Sequence, residues 1–412
     1  MHTPQETGSS QRTLLLELMQ RGLAAVNGRN RVHAALQTMR LPEKVYLVAI
    51  GKAADAMAAG AIDALGARLR AGLVITRYGY QDTPVYRDPR LLLLEAGHPV
   101  PDEQSLAAGR ALCLFLEHVP ADAHFVFLIS GGTSSLVEAL PDGMSLAQLQ
   151  ALNRWLLGSG LAIDAVNRVR CAVSRIKGGR LVTYLEGRHA DVLLMTDVPS
   201  NEPSQVGSGL LIPPDRRPLP VLPEEFADLP LSEPVIAQAF TNVSVSVIAS
   251  NAQMLEAVAR AAKASVRHVQ VNAGLPAPDA IECGEQLANT LVAAQPGIYI
   301  WGGETVVTLP AAPGRGGRNQ ALALSAARHL RGHGNCWLLA VGTDGSDGNT
   351  SDAGAVVDGE TVQRGCDAGL NADDCLRRAD SGTFLEASGD LVHTGPTGTN
   401  VMDLIIGYKQ AD

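Results

Sequence analysis

A serine and two glycines directly after a buried-strand pattern form the clearest candidate for chemistry in this sequence. The apolar run 125–129 stops at Ser130-Gly131-Gly132, and the hydroxyl residues 133–135 that follow predict the cap of a helix. At a strand, turn and helix junction, free backbone N–H groups can bind an anion that glycine lets come close. A tight βα turn without a ligand is an equally good interpretation of these residues.

Lys52 stands at a second junction of the same kind. It follows the apolar run 45–50 and Gly51, and an alanine-rich helix is predicted after it. The position resembles the end of a phosphate-binding loop, but position 46 is Tyr46, so the G-x-x-x-x-G-K-[ST] pattern is absent. Lys52 is therefore a single cation at a strand end.

The segment between Asp164 and Glu186 contains five basic side chains and no acidic one, in a protein of net charge −9. This local excess predicts a focused positive potential that suits a phosphate or carboxylate ligand. A solvated basic helix face is the alternative. The turn at Lys177 and Gly178 makes these two residues, with Arg175, the binding candidates of the segment. The five basic residues are Arg168, Arg170, Arg175, Lys177 and Arg180.

A second cationic junction lies in the other half of the chain. Gly317 and Asn319 flank Arg318 directly before an Ala/Leu-rich helix, and Arg315 lies just upstream. Two guanidinium groups, glycine amides and a helix N-terminus are therefore predicted to converge on an anion. Upstream, Glu304 follows two glycines between two predicted strands. Its carboxylate is placed to orient Arg318 or to approach a metal, and an ordinary hairpin carboxylate is the alternative.

Three aspartates also follow predicted strands. Asp344 and Asp347 follow the strand 336–341, and Asp197 follows the strand 190–195. The spacing does not fit an EF-hand, whereas one or two carboxylates together with phosphate oxygens suit Mg²⁺. Aspartates in turns mostly bind their own backbone, which is the alternative here. Cations and carboxylates at strand ends suit phosphoryl transfer, because positioning and charge neutralisation supply most of its catalysis.

The elements that must position these residues alternate in both halves of the chain. Strands predicted at 45–50, 72–76, 91–95, 124–129 and 190–195 alternate with helices and indicate a mainly parallel, Rossmann-like sheet in three layers. Further on, the close strands 297–301 and 304–308 predict a mixed sheet. Nine of the 23 prolines, between Pro199 and Pro234, predict a loop-rich connection. We therefore predict an α/β fold of two domains, 1–238 and a smaller 239–412, with the strand 243–249 in the second.

Composition excludes several classes of protein. Six cysteines without a C-x-x-C pair argue against a disulfide framework and a structural zinc site. The balance of 33 basic and 42 acidic residues argues against nucleic-acid and membrane-surface partners. No apolar run approaches the roughly 18 residues of a membrane span, and the N-terminal residues lack a signal-peptide pattern. We expect a cytoplasmic protein that acts on small molecules. The number of subunits is not determined, and a homodimer is left open.

Nine short motifs follow one another along nearly the whole chain. They are Gly51-Lys52-Ala53-Ala54, Gly97-His98-Pro99, Ser130-Gly131-Gly132, Lys177-Gly178-Gly179-Arg180, Thr196-Asp197-Val198-Pro199, Gly302-Gly303-Glu304-Thr305, Gly317-Arg318-Asn319-Gln320, Gly342-Thr343-Asp344-Gly345 and Gly395-Pro396-Thr397-Gly398-Thr399-Asn400. In this order and spacing they resemble the MOFRL-type glycerate 2-kinases.

The resemblance implies ATP-dependent, Mg²⁺-assisted phosphorylation of D-glycerate at its 2-hydroxyl, in a cleft between an N-terminal glycerate kinase domain and a C-terminal MOFRL domain. It implies that Lys52 and Arg318 take part in catalysis from opposite domains. We expect Asp197 to orient the hydroxyl group. Candidates for binding the glycerate carboxylate or the transferred phosphate are Ser130, Gly131, Gly132, Lys177 and Gly178. Further binding candidates are Arg175, Glu304, Gly317, Asn319, Asp344 and Asn400, and Asp344 and Asp347 are the metal candidates.

One segment departs from the family. After Thr196-Asp197 the family commonly continues to Ser-Gly-Pro-Thr, whereas this chain has Ser208-Gly209-Leu210-Leu211 and a proline-rich stretch. Contacts of that loop cannot be carried over. Two other functions stay open: an NAD(P)H-dependent hydroxypyruvate reductase, for which no dinucleotide fingerprint is present, and a non-catalytic protein that binds sugar acids.

Overall fold

The computed structural model describes residues 4–79, 84–198, 202–272 and 274–411, so Pro199 of the Thr196-Asp197-Val198-Pro199 motif lies outside the described residues. The strands are β1 (Val45–Ile50), β2 (Leu69–Arg77), β3 (Leu91–Ala96), β4 (His124–Ile129), β5 (His189–Met195), β6 (Val243–Ala249), β7 (Val269–Val271), β8 (Gly297–Gly303), β9 (Cys336–Gly342), β10 (Gly354–Asp358), β11 (Leu391–Val392) and β12 (Asp403–Lys409).

The helices include one long N-terminal helix and several short ones near the C-terminus. They are α1 (Pro4–Ala25), α2 (Gly28–Thr38), α3 (Ala54–Leu65), α4 (Glu103–His118), α5 (Thr133–Leu136), α6 (Leu146–Gly158), α7 (Ile163–Ala172), α8 (Asn251–Ala262), α9 (Ala280–Ala293), α10 (Arg318–Leu330), α11 (Thr361–Asp367), α12 (Ala372–Arg377) and α13 (Ser381–Ser388). Short 3₁₀ helices cover Gly66–Arg68, Pro84–Arg87, Arg180–Leu185, Pro203–Ser208, Glu224–Phe226 and Ala237–Phe240.

The chain divides into two compact units, each with its own six-stranded sheet. The parallel-sheet unit comprises Asn27–Ser250 and Gly398–Asn400. The mixed-sheet unit comprises Asn251–Thr397, Val401–Asp412 and the described part of Met1–Val26. The predicted fold class, two α/β domains with one mainly parallel and one mixed sheet, is confirmed.

In the parallel-sheet unit the strands lie in the order β3-β2-β1-β4-β5-β6, and all neighbouring pairs are parallel. Central strands of such a sheet are covered on both faces, which explains why β1 and β4 are nearly continuous apolar runs. Phe125 and Phe127 of β4 are fully buried in one core with Leu112 of α4 and Ile176. The rigid strands therefore bring the segments that follow them to one edge.

In the mixed-sheet unit the order is β11-β10-β9-β12-β8-β7. Only β7 and β8 are parallel, and the other neighbouring pairs are antiparallel. Helix α10 is buried on nearly all sides. Its alanines and the one glycine of the neighbouring helix α9 permit close approach: a Cβ on Gly284 would lie 2.2 Å from the carbonyl oxygen of Leu322. This packing fixes the start of α10, which carries Arg318.

Three sequence predictions about these sheets are corrected. Residues 304–308 do not form a strand, because the chain leaves β8 at Gly303 and only Val306 makes an isolated bridge, to Asp279. The antiparallel neighbour of β8 is instead β12, about a hundred residues later in the chain. The strand 243–249 pairs with β5 and so belongs to the first sheet, not to the second.

Helix α1 lies in the mixed-sheet unit although it begins the chain. Arg12 ties it to the sheet by donating hydrogen bonds to the carbonyl oxygens of Val356 and Leu391, each at 3.1 Å. The change of unit along the chain falls between Ser250 and Asn251. The domain division at 238/239 stays a prediction. Within the described residues, no helix has both the length and the apolar character needed to cross a membrane.

Candidate active site

The strand order of the parallel-sheet unit identifies the place where a ligand is expected. In a doubly wound sheet of order 3-2-1-4-5-6, ligands bind at the carboxyl ends of the two strands where the order reverses. Here those strands are β1 and β4. Lys52 follows β1, and Ser130-Gly131-Gly132 follows β4. The two junctions that the sequence analysis treated separately are therefore neighbours.

Hydrogen bonds join these two turns directly. The backbone N–H of Lys52 donates to the carbonyl oxygen of Gly131 at 2.9 Å, and that of Ala53 donates to the hydroxyl of Ser130 at 3.1 Å. Ser130 is fully buried. Its hydroxyl is thus used to hold the β1 turn, whereas the sequence analysis expected it to bind a ligand.

The predicted hydroxyl cap of α5 is wrong. The N-cap residue is Gly132, in the left-handed region with φ +87°, and no side chain caps the helix. The hydroxyl of Thr133 instead donates to the carbonyl oxygens of Ile50 and Ser130, at 2.9 and 2.8 Å. The hydroxyl of Thr133 therefore joins the β1 and β4 turns.

Asp197 and Asn400 meet at Gly131. The side-chain amide of Asn400 donates to Oδ2 of Asp197 at 3.3 Å. A Cβ on Gly131 would lie 1.7 Å from Asp197 Oδ2 and 2.2 Å from the amide nitrogen of Asn400, so only glycine fits between them. Asn400 reaches this place because its backbone N–H contacts the sulfur of Met195, at the end of β5, at 3.1 Å. Three sequence candidates are thus brought together.

His98 is a neighbour that the sequence analysis did not select. It follows β3, at the same edge of the sheet as Lys52. A Cβ on Gly132 would lie 3.0 Å from Cγ of Lys52 and 3.1 Å from Cδ2 of His98, so both side chains flank this glycine. The peptide bond between His98 and Pro99 is cis. The signal that could have identified His98 is its position within the Gly97-His98-Pro99 motif directly after a predicted strand.

Lys177 lies in the interior of the parallel-sheet unit. Its Nζ forms an ion pair with Glu138, and both residues are at most 2% exposed. Ser174 supports the pair, because its hydroxyl donates to Glu138 at 2.6 Å and accepts from the backbone N–H of Lys177 at 3.2 Å. The N–H of Gly178 donates to the carbonyl oxygen of Ser208 at 2.9 Å. The charge of Lys177 is therefore neutralised by a buried carboxylate, contrary to the expected ligand contact.

The other basic residues of this segment are also engaged within the protein. Arg168 pairs with Asp164 and with Asp215, both at 3.1 Å. Hydrogen bonds from Arg217 and Arg168 hold the pKa of Asp215 well below its usual range. Arg175 is exposed, and its guanidinium lies 3.5 Å from the hydroxyl of Tyr184. Carboxylates therefore neutralise Arg168 and Lys177, two of the five basic residues from which the sequence predicted a positive potential.

In the mixed-sheet unit, Arg318 is held by two carboxylates. Its Nε and Nη2 donate to the two oxygens of Asp403 at 2.7 and 2.9 Å, and its Nη1 lies 2.8 Å from Glu304. Burial lowers the pKa of Arg318, but the charges of Asp403 and Glu304 raise this pKa by more than burial lowers it. The guanidinium group of Arg318 therefore stays charged. The expectation that Glu304 contacts Arg318 agrees with this geometry. Asp403, which begins the apolar run of β12 and is 1% exposed as a side chain, was not predicted from the sequence.

The N-terminus of α10 already binds a carboxylate of the protein itself. The backbone N–H groups of Asn319 and Gln320 donate to the two oxygens of Asp347 at 3.1 and 2.8 Å. Desolvation raises the pKa of Asp347 to about 7, with the nearby Asp403 adding to the effect. A Cβ on Gly317 would lie 2.4 Å from Cγ of Asp347, which explains this glycine. The predicted external anion at this helix end is therefore replaced by Asp347.

These contacts decide which predicted metal ligand fits. Both oxygens of Asp347 accept backbone hydrogen bonds in the interior, so Asp347 does not fit a magnesium ligand. Asp344 lies directly after β9, and its Oδ1 accepts from the backbone and hydroxyl of Ser346 at 3.0 and 2.9 Å. In the part of the chain that the structure describes, no group of three or more His, Cys, Asp or Glu side chains is arranged to hold a metal ion.

Two cationic centres thus emerge, one in each unit. At the β1–β4 edge, Lys52, glycine turns and Asp197 offer a positive charge, close access to the backbone and a carboxylate. At the start of α10, Arg318 offers a guanidinium that two carboxylates hold in place. Both arrangements suit the stabilisation of negative charge in a group-transfer reaction.

Comparisons with known proteins cover nearly the whole chain. A model described as a domain of unknown function (DUF4147) matches residues 14–221, and the MOFRL family model matches residues 297–403. A D-glycerate 2-kinase from Thermotoga maritima is 35% identical, with 97% of this chain and 98% of the relative aligned. A protein from Agrobacterium vitis that provisionally bears the name hydroxypyruvate reductase is 34% identical, over 88% of this chain and 98% of that protein.

A solved structure agrees with these sequence matches. The crystal structure of glycerate kinase from Thermotoga maritima has a TM-score of 0.83 and 33% identity, and the alignment covers 97% of this chain and 100% of that one. Identity above 30% over the whole length, two matching family models and the same fold lead to one conclusion. The chain belongs to the MOFRL-type glycerate 2-kinase family.

Proposed function

We propose that this chain transfers the γ-phosphoryl group of ATP to the 2-hydroxyl of D-glycerate, giving 2-phosphoglycerate and ADP. The observation that carries the proposal is the edge at β1 and β4, where Lys52, Gly131 and Asp197 come together at the switch point of the sheet. The similarity to the D-glycerate 2-kinase of Thermotoga maritima supports the choice of substrate and of donor. An interdomain location of the active site stays a prediction from the resemblance.

The proposed reaction is an in-line displacement. The 2-hydroxyl oxygen of glycerate attacks the γ-phosphorus, the bond between that phosphorus and the bridging oxygen breaks, and ADP leaves with the bond's electron pair. The hydroxyl proton passes to the carboxylate of Asp197, which the amide of Asn400 orients. Because the transition state is loose, Asp197 needs only to align the hydroxyl and accept its proton late.

The cations supply most of the rate enhancement in this proposal. Lys52 neutralises charge on the transferred phosphoryl group from the β1 turn. Arg318, fixed in direction by Asp403 and Glu304, stabilises the developing negative charge without reorganising during the reaction. Bound Mg²⁺ would shield the phosphate oxygens of ATP, and of the two predicted ligands only Asp344 remains a candidate.

Several sequence candidates have supporting roles in this proposal. Ser130 holds the β1 turn, and Lys177 with Glu138 fixes the loop that carries Gly178. The carboxylate of Asp347 caps α10 by accepting a hydrogen bond from the backbone N–H of Asn319. Cytoplasmic location stays a prediction from the sequence, and the number of subunits stays open.

The test follows ADP release with D-glycerate and Mg-ATP, and passes the product to enolase without phosphoglycerate mutase. Immediate conversion by enolase is expected, because enolase accepts 2-phosphoglycerate. ADP release without conversion would place the phosphate on another hydroxyl, and absence of ADP release would overturn the proposal.

The reductase alternative needs a separate assay because of the name carried by the relative from Agrobacterium vitis. Hydroxypyruvate and NADH are mixed with the enzyme, and the absorbance of NADH is followed. We expect no decrease. A decrease that depends on the enzyme would establish a reductase in place of, or beside, the kinase.

A further inference from the structure

The proline-rich connection, which the proposed site does not use, forms one wall of a pocket in the parallel-sheet unit. The pocket has a volume of about 590 Å³. Aliphatic side chains line it while remaining unusually exposed: Leu219 and Leu231 of this connection are 38% and 55% exposed, and Ile236, two residues after it, is 67% exposed. A concave space of this size with exposed apolar walls is typical of a small-molecule site.

The opposite wall of the pocket is directly joined to the edge with the candidate catalytic residues. Ser208 and Gly209 line the pocket. The hydroxyl of Ser208 lies 2.8 Å from that of Ser134, two residues after Gly132. A Cβ on the neighbouring Gly207 would lie 2.9 Å from the side chain of Thr133. A ligand in the pocket would therefore lie beside the turn after β4.

The charges around the pocket suit an anionic ligand. Four arginines and two aspartates line it, in a chain whose net charge is −9. Arg168 and Arg217 are paired with Asp164 and Asp215. Arg216 is exposed, and no ion pair is found for it among the described residues. Its guanidinium is the cation at this rim that an external phosphate would meet.

We propose that this pocket binds the adenosine part of the donor nucleotide, with its phosphates directed toward the Gly131-Gly132 turn. The inference rests on the proposed kinase function and adds the subsite of the donor to it. Glycerate has no apolar face and would leave the aliphatic wall unused, whereas a purine has two apolar faces that proline, leucine and isoleucine side chains cover. Arg216 lies at the rim of the same pocket, where its guanidinium group can contact a phosphate.

The test uses the full chain with a bulky side chain at the apolar wall. Leu231→Trp and Ile236→Trp each place an indole in the space assigned to the purine, at exposed positions where the fold tolerates it. Val221→Trp is the matched control, because Val221 belongs to the same connection, is 94% exposed and does not line the pocket. Calorimetric titration with ADP gives the Kd, and initial rates give KM for ATP and for D-glycerate.

Leu231→Trp and Ile236→Trp are expected to raise the Kd of ADP and the KM of ATP at least tenfold, while kcat and the KM of D-glycerate stay within twofold. Val221→Trp is expected to match the wild type. An ADP Kd that is equal in the pocket variants and in Val221→Trp would overturn the pocket assignment even if the enzyme is an active glycerate kinase. Pocket-dependent ADP binding without turnover of D-glycerate would keep the pocket and overturn the acceptor.

Discussion

The two cationic centres are built in opposite ways. At the β1–β4 edge, small residues bring backbone and side chains into contact: Gly131 lies so close to Asp197 and Asn400 that no Cβ fits. At the start of α10, charged side chains bring each other into position: Asp403 and Glu304 surround Arg318. The first centre depends on the absence of side-chain volume, and the second depends on the compensation of charge.

This difference reflects the two sheets. In the parallel sheet, each strand delivers its following loop to the same edge, so residues after β1, β4 and β5 meet there. In the mixed sheet, the start of β12 lies beside the end of β8 through antiparallel pairing. Asp403 is thereby buried beside Arg318, and each needs the other's charge.

The largest expected contrast comes from removing each cation. Lys52→Met and Arg318→Met should each lower kcat by about 100- to 1,000-fold, the usual cost of losing a transition-state charge partner. Arg318→Met should also lower the free energy of unfolding, by roughly 3 kcal/mol, because it leaves Asp403 buried without a counter-charge. Steady-state kinetics and urea denaturation measure the two effects.

The control for this contrast is the double variant Arg318→Met/Asp403→Leu, which should regain stability without regaining activity. If Arg318→Met leaves the free energy of unfolding unchanged, the proposed dependence of this centre on the compensation of charge is wrong.

A second, smaller effect tests whether Lys177 binds a ligand or supports the fold. Lys177→Met should lower the free energy of unfolding by roughly 3–5 kcal/mol, because Glu138 would remain as an unpaired buried charge. The double variant Lys177→Met/Glu138→Gln should recover most of this loss. Activity per folded molecule of the double variant should stay within a few fold of the wild type. A hundredfold loss of activity in the double variant would indicate that Lys177 contacts the ligand.

Gly131→Ala examines the steric part of the comparison. The added methyl group must displace Asp197 or Asn400, and misplacement of a positioning group by about 1 Å costs about 100-fold in rate. We expect kcat of Gly131→Ala to fall by about 100-fold, while circular dichroism shows that the variant is folded. Gly158→Ala is the matched control, since a Cβ there meets nothing within 4 Å. Equal kinetics for the two variants would contradict the close contact at Gly131.

The smallest effect concerns pH and the buried Asp347. Its pKa is raised to about 7 in the folded protein, so the folded state holds a proton that the unfolded chain releases at lower pH. The contribution of Asp347 to stability is therefore fully present below about pH 4 and is lost as the pH rises to about 7. The free energy of unfolding of the wild type, relative to that of Asp347→Asn, should fall between about pH 4 and about pH 7 and stay constant at higher pH.

The matched control for the pH experiment is Asp142→Asn, at an exposed loop position. The free energy of unfolding of Asp142→Asn, relative to that of the wild type, should not show this change between pH 4 and 7. A difference for Asp347→Asn that is constant between pH 4 and 7 would show that Asp347 is ionised throughout.

Much of the parallel-sheet site was predictable because its signals are local. Continuous apolar runs gave β1 and β4 with their observed bounds, and glycines after them marked the turns that carry Lys52 and Gly131. Asp197 was found by the same reasoning. His98 was missed, although it also follows a strand, because no feature of its residue type distinguished it from a core histidine.

The predictions of anion sites that failed share another cause. Residues far away in the sequence neutralise the positive groups from which these sites were predicted. Five basic side chains after Asp164 predicted a positive focus, yet Glu138 and Asp215 lie outside that segment and pair with its members. Likewise, the helix N-terminus at Gly317 looked ready for an external anion, and Asp347 occupies it. Sequence spacing shows which charges are present but does not show which of them meet.

The sequence by itself determined the two α/β units, the strand-end turns and the identity of the two cations, because hydrophobic periodicity and glycine placement act over a few residues. Only the tertiary structure decided that Asn400 joins Asp197, that Asp403 holds Arg318 and that Lys177 is buried with Glu138. Those pairings depend on strand order and on long-range burial, where a charge is stable only beside the partner that the fold brings to it.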